Sequence, residues 1–172
     1  TQWSHQQEIF LHPGEVFFGE RKYRIHTLLG SCVALTVWHP VRRVGGMCHC
    51  LLPRPAEHRL DPAKLDGRYA CDAIELLLKK MRDFNTRKGE YQVKLFGGAH
   101  VNAGTNLEVG VRNIEAARQL VKAVGLVIGS EHVGGKGHRR IIFDISTGDV
   151  WLKHETQAST DMLCVTGKKV SK

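Results

Sequence analysis

A thiol and an imidazole can together cleave an amide, and this chain offers both in segments that read as the two arms of a β-hairpin. Cys32 stands just before the β-branched and apolar run 33–38, and His49 lies inside a second extended run, 44–52, beyond His39-Pro40-Val41-Arg42. The thiolate would be the nucleophile, and an adjacent imidazole lowers the thiol pKa and later hands a proton to the leaving group. With the turn centred between Pro40 and Val41, opposed residues have numbers summing to 81, so Trp38 faces Arg43, Val37 faces Val44 and Cys32 faces His49. Opposed side chains in an antiparallel pair have Cβ atoms roughly 4.5 to 5.5 Å apart, close enough to share a proton. A bulge at Gly45-Gly46 would slip this register by one and carry His49 to the other face. Gly30-Ser31 precedes the thiol, where backbone N–H groups can be left free for an oxyanion. Residue pattern alone leaves a plainer alternative open, with Cys32 a small buried hydrophobe and His49 a hydrogen-bonded strand histidine.

Other clusters suggest less. In a regular strand Cys48 and Cys50 point to one face and His49 to the other, so Cys48-His49-Cys50 cannot close on one tetrahedral ion, and no metal is expected there. Gly134-Gly135-Lys136-Gly137 lacks the spacing and the final Lys-Ser/Thr of a P-loop and reads as a tight glycine turn between strands. Arg42-Arg43, Lys79-Lys80 and His138-Arg139-Arg140 come without an aromatic platform, which favours solvated faces over a nucleic-acid surface.

The elements that must position the Cys and His are short and varied, and they indicate one α+β domain. Further strands are expected at 91–96, 126–132, 140–145 and 150–154, the last two joined at Thr147-Gly148-Asp149. Ala70, Ala73, Ile74, Leu77, Leu78 and Met81 recur at helical spacing, as do Ile114, Ala117, Val121 and Val124 before Gly125. Residues 53–66 read as a loop and 156–172 as a polar tail. The 172 residues suffice for one sizeable core, and no apolar run approaches the ~18 residues of a membrane helix. Five cysteines, an odd number without framework spacing, suit reduced thiols in a cytosol. No signal peptide is visible, and a first residue of Thr1 with no methionine before Met47 suggests a trimmed or processed form. A net charge of +8 favours acidic partners.

Leu29-Gly30-Ser31-Cys32-Val33-Ala34, followed by Gly45-Gly46-Met47-Cys48-His49-Cys50-Leu51-Leu52-Pro53, resembles the CheD family of chemoreceptor glutamine deamidases. The likeness continues through residues 69–77, Leu95-Phe96-Gly97-Gly98-Ala99, Val109-Gly110-Val111-Arg112-Asn113, Gly134-Gly135 with Gly137, Arg139-Arg140 and Thr147-Gly148, and so spans about residues 12–154. It implies a single deamidase domain over 1–172 with a layered β-sheet sandwich and flanking helices, similar to the catalytic fold of cytotoxic necrotizing factors. It also implies a cofactor-free cysteine hydrolase in which Cys32 is the nucleophile and His49 the general acid and base. A threonine completes the family's site; Thr27 is the choice here, although His26 occupies the position six before the cysteine that some members use. Cys71-Asp72 departs from the family pattern, in which the first of the two is acidic. The implied substrates are glutamines on the acidic cytoplasmic helices of chemoreceptors, and receptor glutamate methyl esters could be hydrolysed by the same steps. A CheC-type phosphatase is a further implied partner, and a non-catalytic adaptor binding either protein is the alternative. Nucleic acid and membrane insertion are not expected.

Overall fold

The structure, a computed structural model, describes residues 5–55, 63–100 and 107–167. Among the described residues, ten strands and two α-helices run in the order β1(Gln7–Phe10), β2(Val16–Glu20), β3(Tyr23–Leu29), β4(Val33–His39), β5(Val44–Cys50), α1(Ala70–Asp83), β6(Gln92–Gly97), α2(Leu107–Ala123), β7(Ile128–Val133), β8(His138–Asp144), β9(Val150–Glu155) and β10(Thr160–Val165). They form two five-stranded sheets, β1-β3-β8-β9-β10 and β2-β5-β4-β6-β7, each mixed because β1 joins β3 and β7 joins β6 in parallel. The expected α+β class and layered sheets are therefore present.

Alternation in the central strands assigns the layers. Val33, Leu35, Val37, Cys48 and Cys50 pack with Ala73, Leu77, Ile114 and Val121 in a core beneath the two helices. Ala34, Trp38 and Met47 point the other way, into a second core with Ile25, Leu29, Ile141, Phe143 and Leu152 of the facing sheet. The β4–β5 sheet is thus covered on both sides, which is why every residue of both strands is buried. Its neighbour is packed on one face only, and β8 accordingly alternates in burial.

Both helices match their periodic stripes, with α1 running on to Asp83 and α2 beginning earlier, at Leu107. Gly125 follows α2 at φ +80°, the left-handed conformation expected where a helix ends. Gly134, Gly135 and Gly137 also have positive φ in the β7–β8 connection, so this segment is the expected glycine turn. Among the described residues no helix is long and apolar enough to cross a membrane.

Three expectations change. The hairpin closes through a four-residue turn, Pro40 to Arg43, with Arg43 left-handed at φ 49° and its N–H bonded to the His39 carbonyl at 2.9 Å. Opposed residues consequently sum to 83, with Trp38 against Gly45 and Ala34 against His49. No bulge occurs at Gly45-Gly46; a Cβ there would lie 2.4 Å from the Val37 carbonyl or 2.5 Å from that of Phe17, so the two glycines serve close strand approach. The expected polar tail contains β10, paired along its length with β9 and held by buried Lys94, whose ammonium donates to the carbonyls of Gly148 (2.7 Å) and Val165 (2.9 Å). Residues 56–62 of the expected loop and 168–172 of the tail lie outside the described residues.

Candidate active site

A register offset of two, rather than one, preserves the face on which each side chain lies. Cys32, Ala34 and Trp38 share the inter-sheet side with Met47 and His49, while Cys48 and Cys50 point to the helices. Cys32 is therefore diagonal to His49 rather than opposite it, and it sits in the loop that leads into β4. The two side chains come to one side of one sheet, and no hydrogen bond joins them among the described contacts. Sγ of Cys50 donates to Sγ of Cys48 at 3.6 Å, and the pair is built into the opposite core, away from His49.

Thr27 arrives from the other sheet. It shares the inward face of β3 with Ile25 and Leu29, and its Oγ1 lies 2.7 Å from Nδ1 of His49. The same hydroxyl donates to the Leu11 carbonyl at 2.7 Å. A hydroxyl has one proton, so once it is given to Leu11 the oxygen can only accept from His49. His49 is thereby held as the Nδ1–H tautomer, with Nε2 as its basic nitrogen. His26 faces outward and bonds to Glu8, so of the two residues considered for the third position only Thr27 meets the imidazole.

Burial leaves both the His49 imidazole and the Cys32 thiol neutral at neutral pH. Burial lowers the His49 pKa to about 4, with nearby His12 acting in the same direction. Burial pushes the Cys32 thiol up, opposed in part by hydrogen bonding from its own backbone N–H. Backbone bonds hold the loop around the thiol: the Gly98 N–H donates to the Cys32 carbonyl at 2.8 Å and the Ala99 N–H to that of Gly30 at 2.9 Å. Gly97 permits this approach, since a Cβ there would lie 2.2 Å from the Cys32 oxygen.

A stability consequence follows for His49. Its folded pKa lies below the unfolded value near 6.5, so its contribution is fully present above pH ~6.5 and is lost as pH falls to about 4, where the unfolded chain takes up a proton the folded site refuses. The expected loss is roughly 3 kcal/mol. Urea unfolding at pH 7 and pH 4 checks it: the wild type should lose more stability over that span than His49→Gln, and equal losses would count against a buried neutral imidazole.

Residue pattern alone does not reveal β1 to β3, nor the Leu11 carbonyl between β1 and β2 that accepts from Thr27. The expectation of a solvated cluster at His138-Arg139-Arg140 does not hold for Arg139. Arg139 is buried instead, its Nε donating to Nδ1 of His132 (2.8 Å) and its Nη2 to the Gly134 carbonyl (2.7 Å), with burial lowering its pKa to about 10. Asn113, on the apolar face of α2 beside Ile114 and Ala117, was matched only as part of a motif; an amide among core positions was the available signal of a specific contact.

A family model described as CheD chemotactic sensory transduction matches residues 51–154. A Dechloromonas aromatica protein named "Probable chemoreceptor glutamine deamidase CheD 3" is 47% identical over 163 residues, covering 92% of this chain and 94% of its own. The like-named Pseudomonas syringae pv. tomato protein is 45% identical over 86% of this chain and 89% of its own. Among solved structures, the Bacillus licheniformis hypothetical protein YfiH aligns over 72% of this chain and 50% of its own, with a TM-score of 0.42 and 12% identity, too distant a likeness to carry an argument.

Proposed function

The chain belongs to the CheD family, and from that premise we propose that it is a protein-glutamine deamidase converting chemoreceptor glutamines to glutamates through Cys32. The observation that carries the site assignment is the anchoring of His49 by Thr27 on the face that also bears Cys32. Nε2 of His49 takes the thiol proton as Cys32 Sγ attacks the carboxamide carbon, and the carbonyl oxygen becomes an oxyanion facing the backbone N–H groups around Cys32. The C–N bond then breaks as His49 returns the proton to the departing nitrogen, releasing ammonia and leaving a thioester. Water, deprotonated by His49, attacks the thioester; the C–S bond breaks, the thiol regains its proton and the product is glutamate. Contact between Cys32 and His49 tightens when substrate fills the site, as hydrogen bonds in ligand-free active sites commonly do.

Under this reading residues 1–172 act as one deamidase unit of the cytotoxic necrotizing factor kind. The reaction runs in the cytoplasm on receptor helices, with a CheC-type phosphatase as a second partner and receptor glutamate methyl esters as further substrates. The test is incubation of the purified protein with a glutamine-bearing cytoplasmic fragment of a chemoreceptor. Ammonia release and a gain of about 1 Da at specific glutamines are expected, the mass following from amide becoming acid. An unchanged fragment mass would overturn the reading.

A further inference from the structure

Asn113 projects from α2 toward the loop that carries Cys32 and, 2% exposed, is effectively sealed from water. Its Nδ2 donates to two backbone carbonyls, that of Ser31 at 3.1 Å and that of Leu51 at 2.9 Å. The first belongs to the residue before the thiol, and the second lies just past the end of the strand bearing His49. One side chain therefore ties the Cys32 loop to the end of the His49 strand. An amide nitrogen, with two donors on one atom and no charge, serves both carbonyls without burying a charge.

The Ser31 contact acts on a single peptide plane. In a trans peptide the C=O and N–H point in opposite directions, so fixing the Ser31 oxygen also aims the Cys32 N–H. That N–H is the backbone donor whose hydrogen bonding partly offsets the burial of the thiol. The helix is seated closely enough to do this because Gly110 packs on the Gly97-Gly98 corner, where a Cβ would lie 2.4 Å from the Gly98 oxygen. The neighbouring carbonyls of Gly30 and Cys32 are already held by Ala99 and Gly98, which leaves the Ser31–Cys32 plane as the one that Asn113 governs.

We propose that Asn113 is a positioning residue for this reaction, locking the Ser31–Cys32 peptide so that the Cys32 N–H is aimed at the sulfur and at the oxyanion that forms beside it. The proposal rests on Cys32 being the nucleophile. Asn113 does not touch substrate; it acts through the peptide.

Asn113→Ala tests it with two readouts. The first, independent of any protein substrate, is the rate of Cys32 alkylation by iodoacetamide across pH, followed by peptide mass, with exposed Cys164 as the internal reference. Cys32 should be alkylated roughly tenfold more slowly at neutral pH, with its midpoint moved upward, because the thiolate loses a fixed N–H donor, while Cys164 is unchanged. The second is turnover of the receptor fragment, where kcat should fall roughly 10- to 100-fold with KM within about twofold. Val121→Ala, a core truncation in the same helix, shows what lost stability does by itself; it should lower the melting temperature and leave Cys32 alkylation as in the wild type.

Unchanged Cys32 alkylation in Asn113→Ala, or equal slowing in Val121→Ala, overturns the proposal. Should Asn113→Ala fail to fold, Asn113→Ser keeps one donor and takes the same readouts, with a smaller slowing expected and none overturning it. Absence of turnover in the wild type would instead sink the deamidase reading and leave the alkylation result standing separately.

Discussion

Cys32→Ser is expected to lower glutamine turnover by roughly 10⁴- to 10⁶-fold, the scale on which loss of a nucleophile acts in hydrolases of this kind, while the protein stays folded. The size of the effect follows from the resting charges. An imidazole held near a pKa of 4 is a weak base, and the Cys32 thiol, the proposed nucleophile, is itself raised by burial. Proton transfer is thus uphill even for sulfur, and an alcohol is several pKa units harder to ionise than a thiol. Serine fills nearly the same space in a half-buried loop, so the substitution changes the acid and leaves the packing in place. Mass analysis of the receptor fragment reads turnover, and the melting temperature reads the fold. Turnover within about tenfold of the wild type would show that the nucleophile lies elsewhere.

Thr27→Val should be the next most damaging change, reducing kcat about 10²- to 10⁴-fold by analogy with other sites that lose the group orienting a catalytic imidazole. Valine keeps the shape and removes the only group that both accepts from His49 Nδ1 and donates to the Leu11 carbonyl. Two buried polar groups lose their partner, at a cost of about 1–3 kcal/mol each, and the ring can then place its proton on Nε2, where it cannot act as a base toward the thiol. Thr27→Ser restores the hydroxyl and should recover most of the activity. A Thr27→Val enzyme as fast as the Thr27→Ser one would remove Thr27 from the site.

The strands that became legible were those whose residues carry their own pattern. Residues 33–38 and 44–52 are dense in apolar and β-branched side chains because their sheet is covered on both faces. Strands β1 and β10, at the edges of the other sheet, expose most of their side chains, so burial imposes little hydrophobic signature on them. The hairpin register was off by two because it depended on Arg43 adopting a left-handed conformation, which an arginine does not advertise. The error cost little, since an even slip keeps Cys32 and His49 on one face. Thr27 could not be joined to His49 from residue pattern at all, because their contact runs between sheets and no sequence period reports which strands will face one another. Its assignment came through the family likeness.

The threonine–histidine bridge also makes one contact of the site depend on the meeting of the two sheets. His49 belongs to a hairpin of near neighbours in sequence, whereas Thr27 is held by β3, whose long partner β8 is synthesised near the end of the described chain, with Thr27 against Ile141. Chain order leaves the outer sheet after β3 and returns only at β8, so that sheet closes by a distant pairing, the slow kind in folding. A hairpin that pairs before the sheets meet leaves the His49 imidazole without its Thr27 partner. Thr27 reaches His49 only when the two sheets meet, so the anchoring of the imidazole is a property of the docked sheets and not of the hairpin alone.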